Sequence, residues 1–501
     1  MSVASRFVSV DESLPEGSQA AARTDIIDTA AAGPLALRGG MLRTGGFVAA
    51  LLLSLASAPL LVRHLGDADF GRYSAVLAVV LIVAGLTEGG VNTIALRELA
   101  AVADRDARNR AMSDLLGLRL ALSVVGVAVA VGFSALAGYG PDLVTGTLLA
   151  SLGVAATVTQ TLVATALQSR LRFGWAALIE VLRQAIVTAM IVALVLADAG
   201  IVAFLATSIP AGLGALGLTM LLVRGDTTLR PAFRPRRWAP LLRDTFVFAV
   251  AVAVNSLYLR LTLVLMTLVA TATETGHFAI SFRIVEVLVG VPVLLVGAAF
   301  PIISRAARAD PERFEAAVRR LFELCVLLGA LLSLALLLVA PFAIEVLVGT
   351  RDHPSVPVLR VQSATLLASF IACAAVYPLL ALHRHRAVLV ANLASLVVAA
   401  GLVFALVSEL GAEGAALAAV VADFTLAVTA TWLLIRGGGP PLALSVLPVA
   451  AAAGLCGFAV GSVTGAHPLL EAVVGCAVFV GVLAALGRVP PEAREVLRRR
   501  T

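Results

Sequence analysis

The chain has 501 residues, 60% hydrophobic and 14% charged, with a net charge of +6 and a mean hydropathy of +1.01. A soluble domain of this composition would leave too much apolar surface in water, so a soluble globular protein is excluded. Every basic residue is arginine. In a membrane protein that excess belongs to the cytoplasmic loops, so it does not indicate a nucleic-acid partner.

Residues 1–38 are polar, without an amphipathic period, and read as a disordered cytoplasmic tail. The first apolar run begins near Gly40. Its Ala56-Ser57-Ala58 imitates a cleavage site, but Pro59 follows directly and the run is long enough to span. It therefore reads as a retained first span and not as a signal peptide. About fourteen apolar stretches suit spans, centred near residues 52, 83, 126, 155, 187, 212, 254, 289, 330, 368, 397, 423, 453 and 477. The expected organisation is a six-span lobe over 39–225, a cytoplasmic linker over 226–240 and a second six-span lobe over 241–437. Two further spans over 438–487 and a basic cytoplasmic tail over 488–501 complete it. The fold class is an all-α polytopic membrane protein.

Arginines cluster in alternate loops. They fall in the N-terminal segment, around 97–119, around 170–183, in the central loop 224–243, around 305–320, at 384–386, at 436 and in the C-terminal tail. The intervening loops hold only Arg63, Arg72, Arg351 and Arg360. By the positive-inside rule the Arg-rich set is cytoplasmic, which places both termini inside. The expected location is the plasma (inner) membrane. The outer loops, at Gly138–Asp142, Ala197–Gly200 and Thr271–Gly276, are little more than turns. The longest is Pro341–Pro357. Its Asp352-His353 pair reads as solvated.

Landmarks recur. Phe70-Gly71-Arg72-Tyr73 opens the second span, and Thr275-Gly276-His277-Phe278 opens the eighth. The ends of these spans, and of the sixth and twelfth, repeat at offsets of about 205–212 residues. Six spans per copy is an even number, so both copies face the same way. That predicts two six-helix lobes related by an axis along the membrane normal (a parallel repeat), with a substrate cavity between them.

A charge inside a span costs about 2.5–3.5 kcal/mol on insertion scales, so each needs a reason. Arg260 lies in the seventh span with no carboxylate three or four residues away, which favours a cavity-lining role. Arg283 and Glu286 share one face of the eighth span. Glu88 and Asn92 are four apart in the second, Asp423 lies in the twelfth and Asn255 in the seventh. The carboxylates suit either ion coupling or pairing with arginine across helices. Pro292 after Gly290 suits a kink. Cys325, Cys373, Cys456 and Cys476 lie apart in apolar runs and read as packing residues, with no metal site and no disulfide framework. No nucleotide-binding GxxxxGK[ST] run occurs, and no cofactor is indicated.

The segment Arg63-His64-Leu65-Gly66-Asp67-Ala68-Asp69-Phe70-Gly71-Arg72-Tyr73, followed by Glu88-Gly89-Gly90 and Ala95-Leu96-Arg97-Glu98, resembles the opening of polysaccharide flippases. These belong to the multidrug/oligosaccharidyl-lipid/polysaccharide exporter superfamily. Glu274-Thr275-Gly276-His277-Phe278 is similar to that group's Glu-x-Gly-x-Tyr pattern, and the resemblance covers roughly residues 40–435. Members often carry an Asp shortly after the position of Arg260, where this chain has Thr262. The resemblance implies a flippase, with no catalytic residues, that moves a polyprenyl-pyrophosphate-linked oligosaccharide from the inner to the outer leaflet by alternating access. Arg260, Arg283 and Asn255 would line the pyrophosphate site, and Glu88, Asn92, Glu286 and Asp423 would serve ion coupling or pairing. Membrane lipids and polysaccharide assembly proteins are the further expected partners. The alternatives are a cation-coupled multidrug antiporter, a lipid II flippase and a polytopic glycan polymerase. The short outer loops argue against the last.

Overall fold

The computed structural model describes residues 32–88, 90–92, 94–95, 98, 104–168, 173–225, 229–440, 442–463 and 467–487. Of the expected disordered tail over 1–38, residues 32–38 instead form the start of the first helix. Residues 1–31, the basic tail over 488–501 and the loop arginines Arg97, Arg170 and Arg172 lie outside the described residues.

In hydrocarbon every backbone N–H and C=O must be satisfied within the protein, so an apolar chain rich in Ala, Val and Leu crosses as helix. The helices are α1 (Ala32–Glu88), α2 (Arg105–Leu136), α3 (Pro141–Gln168), α4 (Phe173–Leu196), α5 (Ile201–Ala206), α6 (Ser208–Val223) and α7 (Pro235–Val269). Then follow α8 (Ala272–Ala309), α9 (Pro311–Val348), α10 (Ser355–Gln362), α11 (Ala364–Ala381), α12 (His385–Arg436), α13 (Val446–Val463) and α14 (Pro468–Ala485). Among the described residues, eleven helical segments are long and apolar enough to cross a membrane. Two of them, α1 and α12, are broken by non-helical glycines at Gly66 (φ 68°) and Gly411 (φ 54°). Large apolar side chains such as Val124, Val397, Val428 and Leu455 stay exposed. On a soluble protein such a belt would be a liability; here it meets acyl chains.

Polar caps punctuate the helices. Asp104 accepts from the N–H groups of Asp106 and Ala107 at the start of α2, and Thr271 accepts from that of Glu274 at the start of α8. Asp310 caps α9 with Pro311 in its first turn. Each supplies an acceptor to an orphan N–H.

Two loop readings change. Helix α8 starts at Ala272, capped by Thr271, so the expected turn over Thr271–Gly276 shrinks to Ala270 and Thr271. Helix α9 runs through Pro341 to Val348 and stops on left-handed Gly349, which reduces the expected Pro341–Pro357 loop to a few residues. Pro341 is tolerated because a buried neighbourhood can re-satisfy the carbonyl it frees.

Helix α1 packs against α4 within the first half of the chain, and against α7 and α8 of the second. Helices α3 and α6 pair, α12 packs on α7 and α11, and α13 with α14 leans on α9. The halves meet closely at one end of the bundle. A Cβ on Gly276 would overlap the Asp67 carbonyl, and one on Gly71 would overlap the Ala272 carbonyl. Around this contact the Arg63 guanidinium donates to Val346 O at 2.8 Å and to Leu347 O at 3.3 Å, at the C-terminus of α9. The Glu274 carboxylate accepts from Ala412 N at 2.7 Å, where α12 resumes after its break. A cation at a helix C-terminus and an anion at a helix N-terminus both follow the helix dipole. Tyr139 hydroxyl and Thr267 hydroxyl lie 2.9 Å apart across the halves at the same end. Burial raises the pKa of Tyr139, which keeps it a neutral hydrogen-bonding group.

At the other end the connection before α7 docks on α2. Ala232 N donates to Ser113 O at 2.8 Å, and Arg237 lies 3.3 Å from Asp114.

Gly276→Ala is expected to cost about 1–3 kcal/mol, the usual range for overpacking a tight contact. Gly290→Ala, where a Cβ meets open space, should match the wild type. Thermal unfolding of the two purified variants in detergent checks this; equal melting temperatures would refute the close-contact reading.

Candidate functional site

Beneath the sealed end lies a cavity of about 640 Å³ between α1, α3, α4, α7 and α8. It runs from Phe70 and Tyr73 to Glu88, Thr161 and Glu180. Its charged lining is Arg183, Arg260 and Arg283 with Glu88, Glu180 and Glu286, three of each sign. An apolar pocket of about 300 Å³ adjoins it inside the second half, lined by Leu263, Phe278, Val285, Val289 and others, with Asp423 among them. Arg260 and Glu286 border both spaces.

Glu286 is the hub. Its Oε1 accepts from Arg260 Nη2 at 2.6 Å and its Oε2 from Arg283 Nη1 at 3.2 Å. Arg283 Nη2 reaches across to Ser54 Oγ on α1 at 2.6 Å. The intrahelical Arg283–Glu286 pair is therefore present. Arg260 also has a carboxylate partner, contrary to the reading from its own helix, because α8 brings Glu286 to it from 26 residues away. A guanidinium carries five N–H donors. These contacts use one from Arg260 and two from Arg283.

The remaining sequence candidates are dispersed. Asn92 Nδ2 donates to Glu88 Oε1 at 2.6 Å and to Thr161 Oγ1 at 3.2 Å, so this pair sits at the far end of the cavity, across from α3. Asp423 lies in the side pocket, and no ion pair of it is found among the described residues. Asn255 belongs to α7, but its side chain lies outside the described residues.

Sequence reasoning missed two charged groups. Arg183 counted as a loop arginine, yet it stands in α4, lines the cavity and pairs with Glu180 through both Nε and Nη2. Its i,i+3 spacing from Glu180 inside an apolar run was the available signal. Arg119 was also assigned to a cytoplasmic loop. It is fully buried in α2, with Nη1 3.1 Å from Thr87 O and Nη2 3.4 Å from Val158 O. There it ties three helices together.

These features define a class: a multi-pass plasma-membrane protein built around a charge-lined central cavity that is closed at one end. The chain belongs to the polysaccharide biosynthesis protein family, whose model matches residues 36–307. Among solved structures the fold is similar to a lipid II flippase MurJ in an inward closed conformation, with 12% identity, a TM-score of 0.76, 89% of this chain covered and 99% of that one. It is also similar to an inward-facing multidrug resistance MATE transporter of the MOP superfamily, with 14% identity, a TM-score of 0.63, and coverage of 77% and 94%. A MOP superfamily transporter from Pyrococcus furiosus, described by the reverse polarity of its binding pocket, follows with 18% identity, a TM-score of 0.57, and coverage of 80% and 95%. Among curated proteins no match is found.

Glu286→Gln leaves Arg260 and Arg283 beside each other without their shared anion. Losing one partner of a well-buried pair costs about 3–5 kcal/mol. With the three side chains 26–39% exposed, about 1–3 kcal/mol is expected here. Thermal melting of the variant in detergent measures it, and a wild-type curve would show that Glu286 holds nothing in place.

Proposed function

We propose that this protein is a flippase for a polyprenyl-pyrophosphate-linked oligosaccharide of surface polysaccharide synthesis, working by alternating access between two six-helix lobes. Counting α1 and α12 as two spans each, at their breaks on Gly66 and Gly411, joining α5 to α6 and α10 to α11, and adding α7 gives fourteen spans, the last two being α13 and α14. The arginine distribution orients the sealed end outward and both termini inward. In this reading the structure is the state closed to the outside.

The observation that carries the reading is the pair of cavity arginines. A diphosphate cannot cross hydrocarbon unaided. Arg260 and Arg283 keep donors beyond those bound to Glu286 and Ser54, and a guanidinium fork matches phosphate oxygens in bidentate fashion. Arg183 on the opposite lobe adds a third cation to the same cavity. Family membership and the lipid II flippase fold point to the same class of cargo. The work is transport and not catalysis. The proteins that assemble the glycan are the expected functional neighbours.

A second reading, a cation-coupled antiporter, draws on Asp423. It is a carboxylate in a mostly apolar pocket without an ion-pair partner among the described residues, as a proton or cation site requires. It also serves the first reading as the coupling site.

Deleting the gene and weighing extracted lipid-linked glycans tests the main reading. One polyprenyl-pyrophosphate oligosaccharide should accumulate while its surface polymer disappears; an unchanged lipid pool favours the antiporter. In the complemented strain Arg260→Ala is expected to abolish export while the protein still inserts at wild-type levels. Full export by a well-expressed Arg260→Ala protein would remove Arg260 from the mechanism.

A further inference from the structure

The sealed end holds a cluster that transport of a glycan lipid does not use. Asp67, beside the break in α1, faces two histidines of the other half. His353 Nε2 lies 3.1 Å from both Asp67 carboxylate oxygens, and His277 Nε2 lies 3.3 Å from Oδ2. Both histidines are buried, whereas the Asp67 side chain is 28% exposed and leaves a path from solvent. The solvated reading of His353 from sequence does not hold. The short loop after Gly349 folds it inward onto Asp67.

One atom from each of the three residues lies within 4.8 Å of the other two. In a tetrahedral site with metal–ligand bonds of about 2.0–2.1 Å, neighbouring ligand atoms stand about 3.3 Å apart. The two nitrogen–oxygen edges, at 3.1 and 3.3 Å, already have that length. Closing the nitrogen–nitrogen edge takes a side-chain shift of at most about 1.5 Å.

The outer partners also fit. A metal-binding histidine normally hands its second nitrogen to a carboxylate or another acceptor, which fixes ring and tautomer. His277 Nδ1 lies 3.9 Å from Glu274 Oε1, too far for a hydrogen bond in this structure but within reach of a shift of about 1 Å, and Glu274 is itself anchored on Ala412 N. His353 Nδ1 lies 3.0 Å from Ser355 Oγ and 3.2 Å from Ser355 N. The serine N–H serves the tautomer that donates from Nε2 to Asp67. Its hydroxyl can accept from Nδ1–H in the tautomer that frees Nε2 for a metal. The site thus accommodates both a hydrogen-bonded and a metal-bound form.

We propose that Asp67, His277 and His353 bind a divalent transition-metal ion of the zinc class and that the bound ion clamps the two halves together at the sealed end. Two imidazoles and one carboxylate suit zinc; calcium and magnesium take oxygen ligands. The ligands come from both halves, so the complete site exists only while that end is closed. An ion that binds one state alone stabilises that state by linkage. The metal is then an inhibitor of opening, whatever the cargo.

Titration of the purified full-length protein with zinc chloride, followed by calorimetry, tests the site independently of export. One ion per chain is expected. His277→Gln and His353→Gln should each weaken binding at least tenfold. Glu274→Gln, which keeps an acceptor for Ala412 N, should weaken it about tenfold. His467→Gln, at an exposed position beside Arg351, should leave it unchanged. Absence of binding by the wild type, or undiminished binding by both histidine variants, overturns the site. If the histidine variants misfold, the clamp is read on the native ligand set. Spin labels at Asp142→Cys and Glu413→Cys, with the four native cysteines replaced by alanine, report the separation across the sealed end. Zinc should collapse the distance distribution to its shortest component and EDTA should restore it. An unchanged distribution at saturating zinc overturns the clamp.

Discussion

Two stretches of backbone, at Gly71 of α1 and Gly276 of α8, meet with no side chain between them, and the remaining geometry hangs on that approach. A side chain at either position would push the halves apart. Because they touch, the polar groups on both sides come within hydrogen-bond range of each other. Arg63 reaches the C-terminus of α9 and Tyr139 reaches Thr267 across the contact, while beside it Glu274 bonds within the second half, where α12 resumes. The contacts join helix ends and not helix middles. They can be made and released without disturbing the hydrogen-bonded interior of a span.

The interior charges obey a different constraint. A lone ion within the hydrocarbon thickness is expensive, so each must be neutralised by a neighbour or given water. Glu286 neutralises two arginines at once, which leaves one guanidinium's worth of unbalanced charge at that point. Glu88 restores the balance from the first half, where Glu180 is already paired with Arg183. The cavity is therefore rich in donors but carries no net formal charge on its lining. Such a lining does not repel a neutral sugar chain, and it can offer guanidinium forks to a diphosphate if Glu286 yields some of its contacts. The border at Arg260 and Glu286 separates this polar space from an apolar pocket, a division suited to a cargo that is part sugar phosphate and part hydrocarbon.

Much of the fold was legible because a bilayer enforces simple rules. Hydropathy located the apolar segments, and each of the fourteen centres falls inside a helix. The repeat landmarks Gly71 and Gly276 turned out to be the residues that touch across the halves, although sequence alone gave only their spacing. Reading charges by loop failed where a span is longer than the minimum. Arg119 and Arg183 lie near predicted helix ends, but α2 and α4 carry them inward, to a buried site and to the cavity. Partners distant in sequence were also invisible. Nothing local pairs Arg260 with Glu286, or Asp67 with His353; only the packing of α7 on α8 and the closure of the halves does so.

Under the proposed alternating access the seal must also come apart. Its hydrogen bonds and ion pairs at helix ends are each worth only about 0.5–1.5 kcal/mol net because water can replace the lost partner. They border, however, an apolar cluster that joins Leu61, Val62 and Phe70 of α1 to Phe278 of α8 and Ile344 and Leu347 of α9. Opening that exposes part of this apolar surface costs about 25 cal/mol per Å², so the free-energy gap between closed and open is set by both kinds of contact. Alternating access requires that gap to be small, since a ligand can shift an equilibrium only by its differential affinity for the two states. In the proposed reading, a cargo diphosphate that competes for Ser54, Arg283 and Glu286, the groups that link the cavity to α1, would supply that differential affinity.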